Sequence, residues 1–111
     1  MHTVHFPKDK NHGTTYAAAA LGILFSVNDY TAELTWAEQK IIDQFFESLK
    51  MGRSFDPKKP EQKWEVSLAR YADLLNMVDT NNRWIYRGSV TTPPCATDVY
   101  WNELRTIYPI S

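Results

Sequence analysis

Apolar and polar positions alternate at the start of the chain. Met1–Phe6 (MHTVHF) suits a short strand in which His2 and Val4 share one face and His5 takes the other. Pro7–Gly13 (PKDKNHG) is a polar loop with strong turn composition. Tyr16–Val27 (YAAAALGILFSV) is then apolar almost throughout. Periodicity alone does not separate a buried strand from a buried helix there; the β-branched and aromatic residues of its second half, and the stop at Asn28-Asp29, tip the reading to a strand. The period changes at Thr35. Ile42, Phe45, Phe46 and Leu49 recur at i, i+3, i+4 and i+7, the apolar stripe of a helix near 35–50. Thr35 and Glu38 form a capping-box pattern at its start, and Gly52 is the predicted stop. Residues 53–63 (RSFDPKKPEQK) read as a charged, proline-broken surface connection. Val66–Met77 fits neither period, with a helical turn predicted around Tyr71–Leu75. Arg83–Val90 (RWIYRGSV) reads as a strand entering a tight TTPP loop, and Asp98–Leu104 (DVYWNEL) as another.

These elements predict a β-rich α+β fold with one good surface helix. The strands are few, so some edges would stand unpaired and invite pairing with another segment. At 111 residues there is room for one small domain, and no internal repeat or domain boundary is visible. Twelve basic against thirteen acidic residues give a formal charge of −1, which makes no electrostatic case for nucleic acid or an anionic membrane as partner. No run of apolar residues is long enough to predict a membrane span. Met1–His5 has neither the basic start nor the apolar stretch of a signal peptide. It reads as the middle of a strand, so the natural start is expected upstream.

Two stretches could carry chemistry. Histidines at the spacing of His2 and His5 point to opposite faces of a strand and make poor partners for one metal ion. The remaining histidine, His12, sits in the polar loop, and the three form no recognised ligand spacing. On residue types alone, structural histidines are the favoured reading. The second stretch is Gly88–Cys95 (GSVTTPPC). Each proline fixes its own φ and holds the preceding residue extended, so the turn is rigid and can aim a threonine hydroxyl. On bare residue types the favoured reading is a rigid surface corner with two solvated hydroxyls.

The segment Tyr86–Cys95 (YRGSVTTPPC), followed by Trp101, resembles the Y-x-G-S-L-T-T-P-P-C…W signature of α-carbonic anhydrases, with Val90 where leucine is usual. Met1–Phe6 resembles the family's E-L/M-H-x-V-H-W/F strand, Ala20–Ile23 its V-L-G-I/V strand, and Leu74-Leu75 its paired leucines ahead of the signature. The matches fall in family order from the first residue almost to Ser111. The resemblance implies part of a large, mostly antiparallel twisted sheet with peripheral helices. It implies that the parent protein catalyses reversible hydration of carbon dioxide to bicarbonate on zinc. Residue by residue, His2 would be the third zinc ligand, while Val4, Ala20 (smaller than the usual valine), Val90 and Trp101 would line the apolar carbon dioxide pocket. Thr91 would accept a hydrogen bond from zinc-bound hydroxide, the catalytic orienting contact, and Thr92 would touch bicarbonate. His5 would point away, as a buried, hydrogen-bonded structural histidine on the second face. Cys95 would form a disulfide with a cysteine near the N-terminus, as in secreted or lumenal members, though as the chain's one cysteine it has no partner inside these residues.

The resemblance also implies that much of the site lies outside residues 1–111. The two further histidine ligands, the glutamate that orients Thr91, the proton-shuttling histidine and the acidic partner of His2 would precede Met1. An arginine-bearing segment would follow Ser111. Catalytic zinc wants three protein ligands and an open position, so the chain alone is expected to be an inactive partial domain, first through truncation of a longer protein. A complementary chain completing the domain, or a non-catalytic carbonic-anhydrase-like binding or assembly module, are the alternatives.

Overall fold

The computed structural model describes residues 1–9, 13, 15–51, 56–59, 63, 65–67 and 69–110. His12, the predicted stop Gly52 and several residues of the 53–63 connection lie outside that set. Two compact units emerge, one built from Met1–Ala32 and Asp79–Pro109, the other from Glu33–Val78. The second is inserted in the chain of the first without a glycine- or proline-rich linker, so composition offers no sign of the division.

The first unit is a four-stranded mixed sheet. Its strands are β1 (His2–His5), β2 (Ala18–Ser26), β3 (Arg83–Gly88) and β4 (Val99–Pro109), in spatial order β1-β2-β4-β3. β1 runs antiparallel to β2 and β3 antiparallel to β4, while the two central strands are parallel. Parallel neighbours need a long crossover, which residues 27–98 supply. Between Gly22 and Leu24 the β2–β4 register shifts, Gly22 facing Glu103 and Leu24 facing Ile107. β4 continues past the predicted end at Leu104 to Pro109, paired with β2 as far as Ser26. β2 is the near-continuous apolar run expected of a strand covered on both faces; its Ala18, Ala20 and Ile23 are buried, as are Val99, Trp101, Leu104 and Tyr108 of β4. β1 and β3 are the edges, and β3 is exposed at five of its positions.

Ahead of β3 a tight turn is tied by Asp79. Its carboxylate accepts from the Asn82 side chain at 2.7 Å and from the Asn81 N–H at 2.9 Å, and both bonds hold it below the usual aspartate range. The Asp79 N–H donates to the Tyr108 hydroxyl at 2.6 Å, which fastens the turn to β4.

The second unit contains helices α1 (Trp36–Ser48) and α2 (Tyr71–Met77). The α1 stripe buries Ile42 and Phe45; α2 buries Leu74, and Val78 just beyond it is also buried. Phe45 and Tyr71 bring the helices together at a ring separation of 6.4 Å. The capping box is present as predicted: Glu38 N–H donates to Thr35 Oγ1 at 3.2 Å and Thr35 N–H to Glu38 Oε1 at 3.0 Å. The helix stops earlier than Gly52. Lys50 takes a left-handed φ of 58°, and the Lys50 and Met51 N–H groups donate back to Glu47 and Phe46 carbonyls. That is a Schellman closure with lysine where glycine is more usual.

Thr35→Ala should cost about 1 kcal/mol of helix stability, as the loss of a capping hydroxyl does; urea denaturation followed by circular dichroism measures it. The Thr35 N–H and hydroxyl contacts lower the pKa of Glu38, the backbone bond most. A lowered carboxylate contributes stability above its unfolded pKa, and that share is lost as pH falls through the folded value. Thr35→Ala keeps the backbone N–H and removes only the smaller hydroxyl share, so acid titration of α1 should show a slightly later loss in the native chain than in the variant.

Candidate functional site

Register alone gathers one set of side chains on a single sheet face. Residues directly opposite on neighbouring strands share a face, so His2, Gly22, Glu103 and Trp84 form one row across the sheet, and Val4, Ala20, Trp101 and Tyr86 the next. Val99 and Gly88 lie at the end of a third. Thr3, His5, Leu21 and Asn102 occupy the opposite face. The strand reading that separates His2 and Val4 from His5 therefore holds in the fold.

Trp101 is the centre of this face and is only 4% exposed. Its indole N–H donates to the Ser89 carbonyl at 3.0 Å, which ties the strand to the start of the TTPP loop. Tyr86 stacks on it with ring centroids 6.1 Å apart and planes 5° from parallel. His2 meets it edge-on at 4.7 Å and 76°. Ala20, Val99 and Trp101 form a buried apolar cluster with Val90 packed against it. Val90 is held there because its N–H donates to the Ala96 carbonyl at 2.9 Å, closing the loop on itself. The loop carries a cis Pro93-Pro94 bond and a turn in which Cys95 N–H donates to Thr92 O at 2.8 Å.

A second brace lies beside that loop. Arg87 donates to Asp98 Oδ1 and to Thr15 Oγ1, each at 3.0 Å, and its guanidinium lies 4.6 Å over the Tyr16 ring. The ends of β3 and β4 and the approach to β2 are thus fixed to one another.

Of the residues singled out from sequence, Ala20, Val90 and Trp101 are brought into one cluster and His2 against its edge. Val4 lies on the same face, opposite Ala20, and is 48% exposed. Thr91 and Thr92 follow Val90 on the loop but remain exposed, outside that cluster. Cys95 is an exposed free thiol. His5 departs from expectation: it is exposed rather than buried, its Nε2 3.0 Å from Thr3 Oγ1. The reason is topological, since β1 is an edge strand with a neighbour on one side only.

The residue that sequence reading missed is Glu103. It extends from β4 across Gly22, its Oε1 3.4 Å from His2 Nε2 and its Oε2 buried without a hydrogen-bond partner. The signal was available in VYWNEL, where period two puts Glu103 on the face of Trp101. Among the described residues, no group of three His, Cys, Asp or Glu side chains converges on a point where a metal ion would sit. His2 and Glu103 make a pair, and a pair is too few for catalytic zinc. Nor is any helix among the described residues long and apolar enough to cross a membrane.

The family described as eukaryotic-type carbonic anhydrase matches residues 1–111. Mouse carbonic anhydrase 6 is 31% identical over 113 aligned positions, covering 94% of this chain and 31% of the mouse protein. The structure of the α-carbonic anhydrase from Thermovibrio ammonificans, in complex with the inhibitor sulfanilamide, superposes with a TM-score of 0.59 at 22% identity. That match covers 99% of this chain and 39% of the other. The chain thus spans 31% and 39% of the length of these relatives, and the second likeness speaks for the fold alone.

Proposed function

The chain belongs to the eukaryotic-type carbonic anhydrase family, and from that premise we propose that it is a segment of a zinc-dependent carbonic anhydrase, inactive by itself. The parent protein would interconvert carbon dioxide and bicarbonate. The observation that carries this reading is the single sheet face on which His2 stands against Trp101, beside the Ala20–Val99–Trp101–Val90 cluster. A small apolar gas is held by a wall of this kind, and an imidazole at its edge suits a metal ligand.

The residues present do not complete a zinc site, since they supply one imidazole where three are wanted, and no catalytic step belongs to the chain alone. Zinc, when bound, would supply water acidic enough to ionise near neutral pH. This chain's share is the rest: His2 as one ligand, with two further imidazoles coming from outside these residues. Val4, Ala20, Val90 and Trp101 would form the apolar wall that excludes water from the carbon dioxide pocket once the domain is complete. In the completed domain the Thr91 hydroxyl, on a loop stiffened by Pro93 and Pro94, would accept a hydrogen bond from the oxygen the metal holds, and Thr92 would meet the product at the rim. A complementary segment adding to the exposed strand edges would complete the domain. The exposed Cys95 thiol, free to pair beyond the chain, supports a secreted or lumenal location for the parent.

The rival reading is a non-catalytic carbonic-anhydrase-like binding or assembly module. Metal analysis after dialysis, with a carbon dioxide hydration assay on the same sample, separates the two. The chain alone should hold far less than one equivalent of zinc and show no hydration activity. Mixed with a separately produced carbonic anhydrase segment that carries two zinc-binding histidines, it should gain both. If zinc and activity stay absent from the mixture, the module reading prevails. If the chain alone holds stoichiometric zinc and is active, the segment reading is wrong.

A further inference from the structure

We infer that Arg87 and Asp98 position the TTPP loop: the guanidinium clamps the returning limb of the loop to its outgoing limb and holds both to the approach of β2. Neither residue touches substrate; they would act through the loop, and through Thr91 in particular. That last link rests on the segment reading given above, while the hold on the loop does not. The carbonic anhydrase signature assigns neither residue, since Arg87 falls on its open position after Tyr86 and Asp98 lies between Cys95 and Trp101.

Three observations converge on the clamp. First, Arg87 and Asp98 stand at the two ends of the loop. Arg87 precedes Gly88, the last residue of β3, and Asp98 precedes Val99, the first of β4. Gly88 and Val99 are register partners, so the Arg87–Asp98 bond at 3.0 Å closes the loop at its base. Second, one guanidinium ties three segments together. Its Nη1 donates to Asp98 Oδ1 and its Nη2 to Thr15 Oγ1, each at 3.0 Å, while the group lies 4.6 Å over the Tyr16 ring. Asp98 adds a further link, since its carbonyl accepts from the Ala17 N–H at 2.8 Å. A planar fork meets two acceptors at once in fixed geometry, which a lysine of the same charge does not. Third, Asp98 has a left-handed φ of 64°, in the region where glycine is the least costly residue. Aspartate there gives up backbone ease, and what it supplies that glycine does not is the carboxylate facing Arg87. On the other sheet face the Trp101 indole holds the outgoing limb at Ser89 O. The returning limb is held by the bond from Val90 N–H to Ala96 O and by this clamp. Both side chains of the pair are about half exposed, so it contributes little to global stability; its effect is on where the loop sits.

The experiment is amide hydrogen exchange on the 111-residue chain, read by NMR at Val90, whose N–H bonds to Ala96 O across the loop, and at Ile23, whose N–H bonds to Met1 O across the sheet. Arg87→Gln should speed exchange at Val90 by about fivefold, as loss of an exposed pair at the upper end of the usual range does, and leave Ile23 and the urea midpoint unchanged. Arg87→Lys, which keeps the charge without the fork, should recover only a minor part of that protection. Asp98→Asn removes the charge while keeping a residue that tolerates the left-handed region. In about 1 M sodium chloride, which screens exposed pairs, Val90 exchange should quicken in the native chain and not in Asp98→Asn. Unchanged Val90 exchange in Arg87→Gln overturns the inference, and so does an equal acceleration at Ile23, which would mark general destabilisation. Full protection in Arg87→Lys, or a salt response that survives in Asp98→Asn, overturns the role of the Arg87–Asp98 fork. The mixture with a segment carrying two zinc-binding histidines then separates the clamp from the segment reading. A lowered kcat at unchanged KM in Arg87→Gln supports both. Full activity despite faster Val90 exchange supports the hold on the loop and counts against the part given to Thr91. An inactive mixture with the native chain sinks the segment reading, and the exchange result then decides for or against the clamp.

Discussion

Replacing Trp101 with alanine is expected to cost the chain about 3–5 kcal/mol, a large part of the 5–15 kcal/mol or so that holds a domain together. The indole is buried, donates to Ser89 O, stacks on Tyr86 and contacts His2, so truncation empties the middle of the candidate face. Three losses add: the apolar area of the ring, the cavity it leaves, and the tie between β4 and the TTPP loop. Trp84→Ala provides the contrast. Trp84 lies on edge strand β3, 61% exposed, with the Arg105 guanidinium 4.6 Å over its ring, and its removal should cost less than about 1 kcal/mol. Urea denaturation followed by circular dichroism measures both. Equal costs for the two tryptophans would contradict the central place given to Trp101. Trp101→Phe refines the test, since it keeps most of the packing and drops only the N–H, leaving Ser89 O to find water.

What could be read in the sequence depended on how local the cause was. The α1 start was legible because a capping box is a contact between residues three apart, and Thr35 and Glu38 satisfy it within themselves. The facing of His2 and Val4 against His5 was legible because strand geometry imposes it on any four-residue stretch. The TTPP loop and the Trp101 wall were legible by resemblance, as a rare motif in fixed order. The parallel pairing of β2 with β4 was not, because it joins residues about eighty positions apart and is decided by packing. The unforeseen features follow from that one pairing. Glu103 reaches His2 only across Gly22, and β4 runs on to Pro109 because β2 pairs with it as far as Ser26. His5 is exposed because the same strand order leaves β1 at an edge. The stop of α1 was misplaced for a different reason: a left-handed residue usually signals itself as glycine, and here Lys50 takes the conformation.

Gly88→Ala is the second large effect. Gly88 closes β3 opposite Val99, and it is not among the positive-φ glycines, so backbone conformation does not demand it. Contact does. A Cβ at Gly88 would lie 2.7 Å from Trp101 Cδ1, 3.1 Å from its Nε1 and 3.0 Å from Tyr86 Cε2. These are ring atoms, and neither ring can swing aside cheaply. Trp101 is held by Ser89, Tyr86, His2 and the Ala20–Val99–Val90 cluster, while Tyr86 is held by the stack. Overpacking of this kind costs about 1–3 kcal/mol. It should also disturb the loop, because the Trp101 indole must move off Ser89 O to make room. Gly22→Ala meets only the carboxylate end of Glu103, a flexible group, and should cost less. A double-mutant cycle decides whether the clash is the cause. In a Trp101→Phe background the six-membered ring takes up less room beside Gly88 and has no N–H to keep in place. There Gly88→Ala should lose most of its penalty, giving a coupling of roughly 1–2 kcal/mol. If the two changes simply add, the indole is not what the methyl group meets, and the penalty comes from Tyr86 instead.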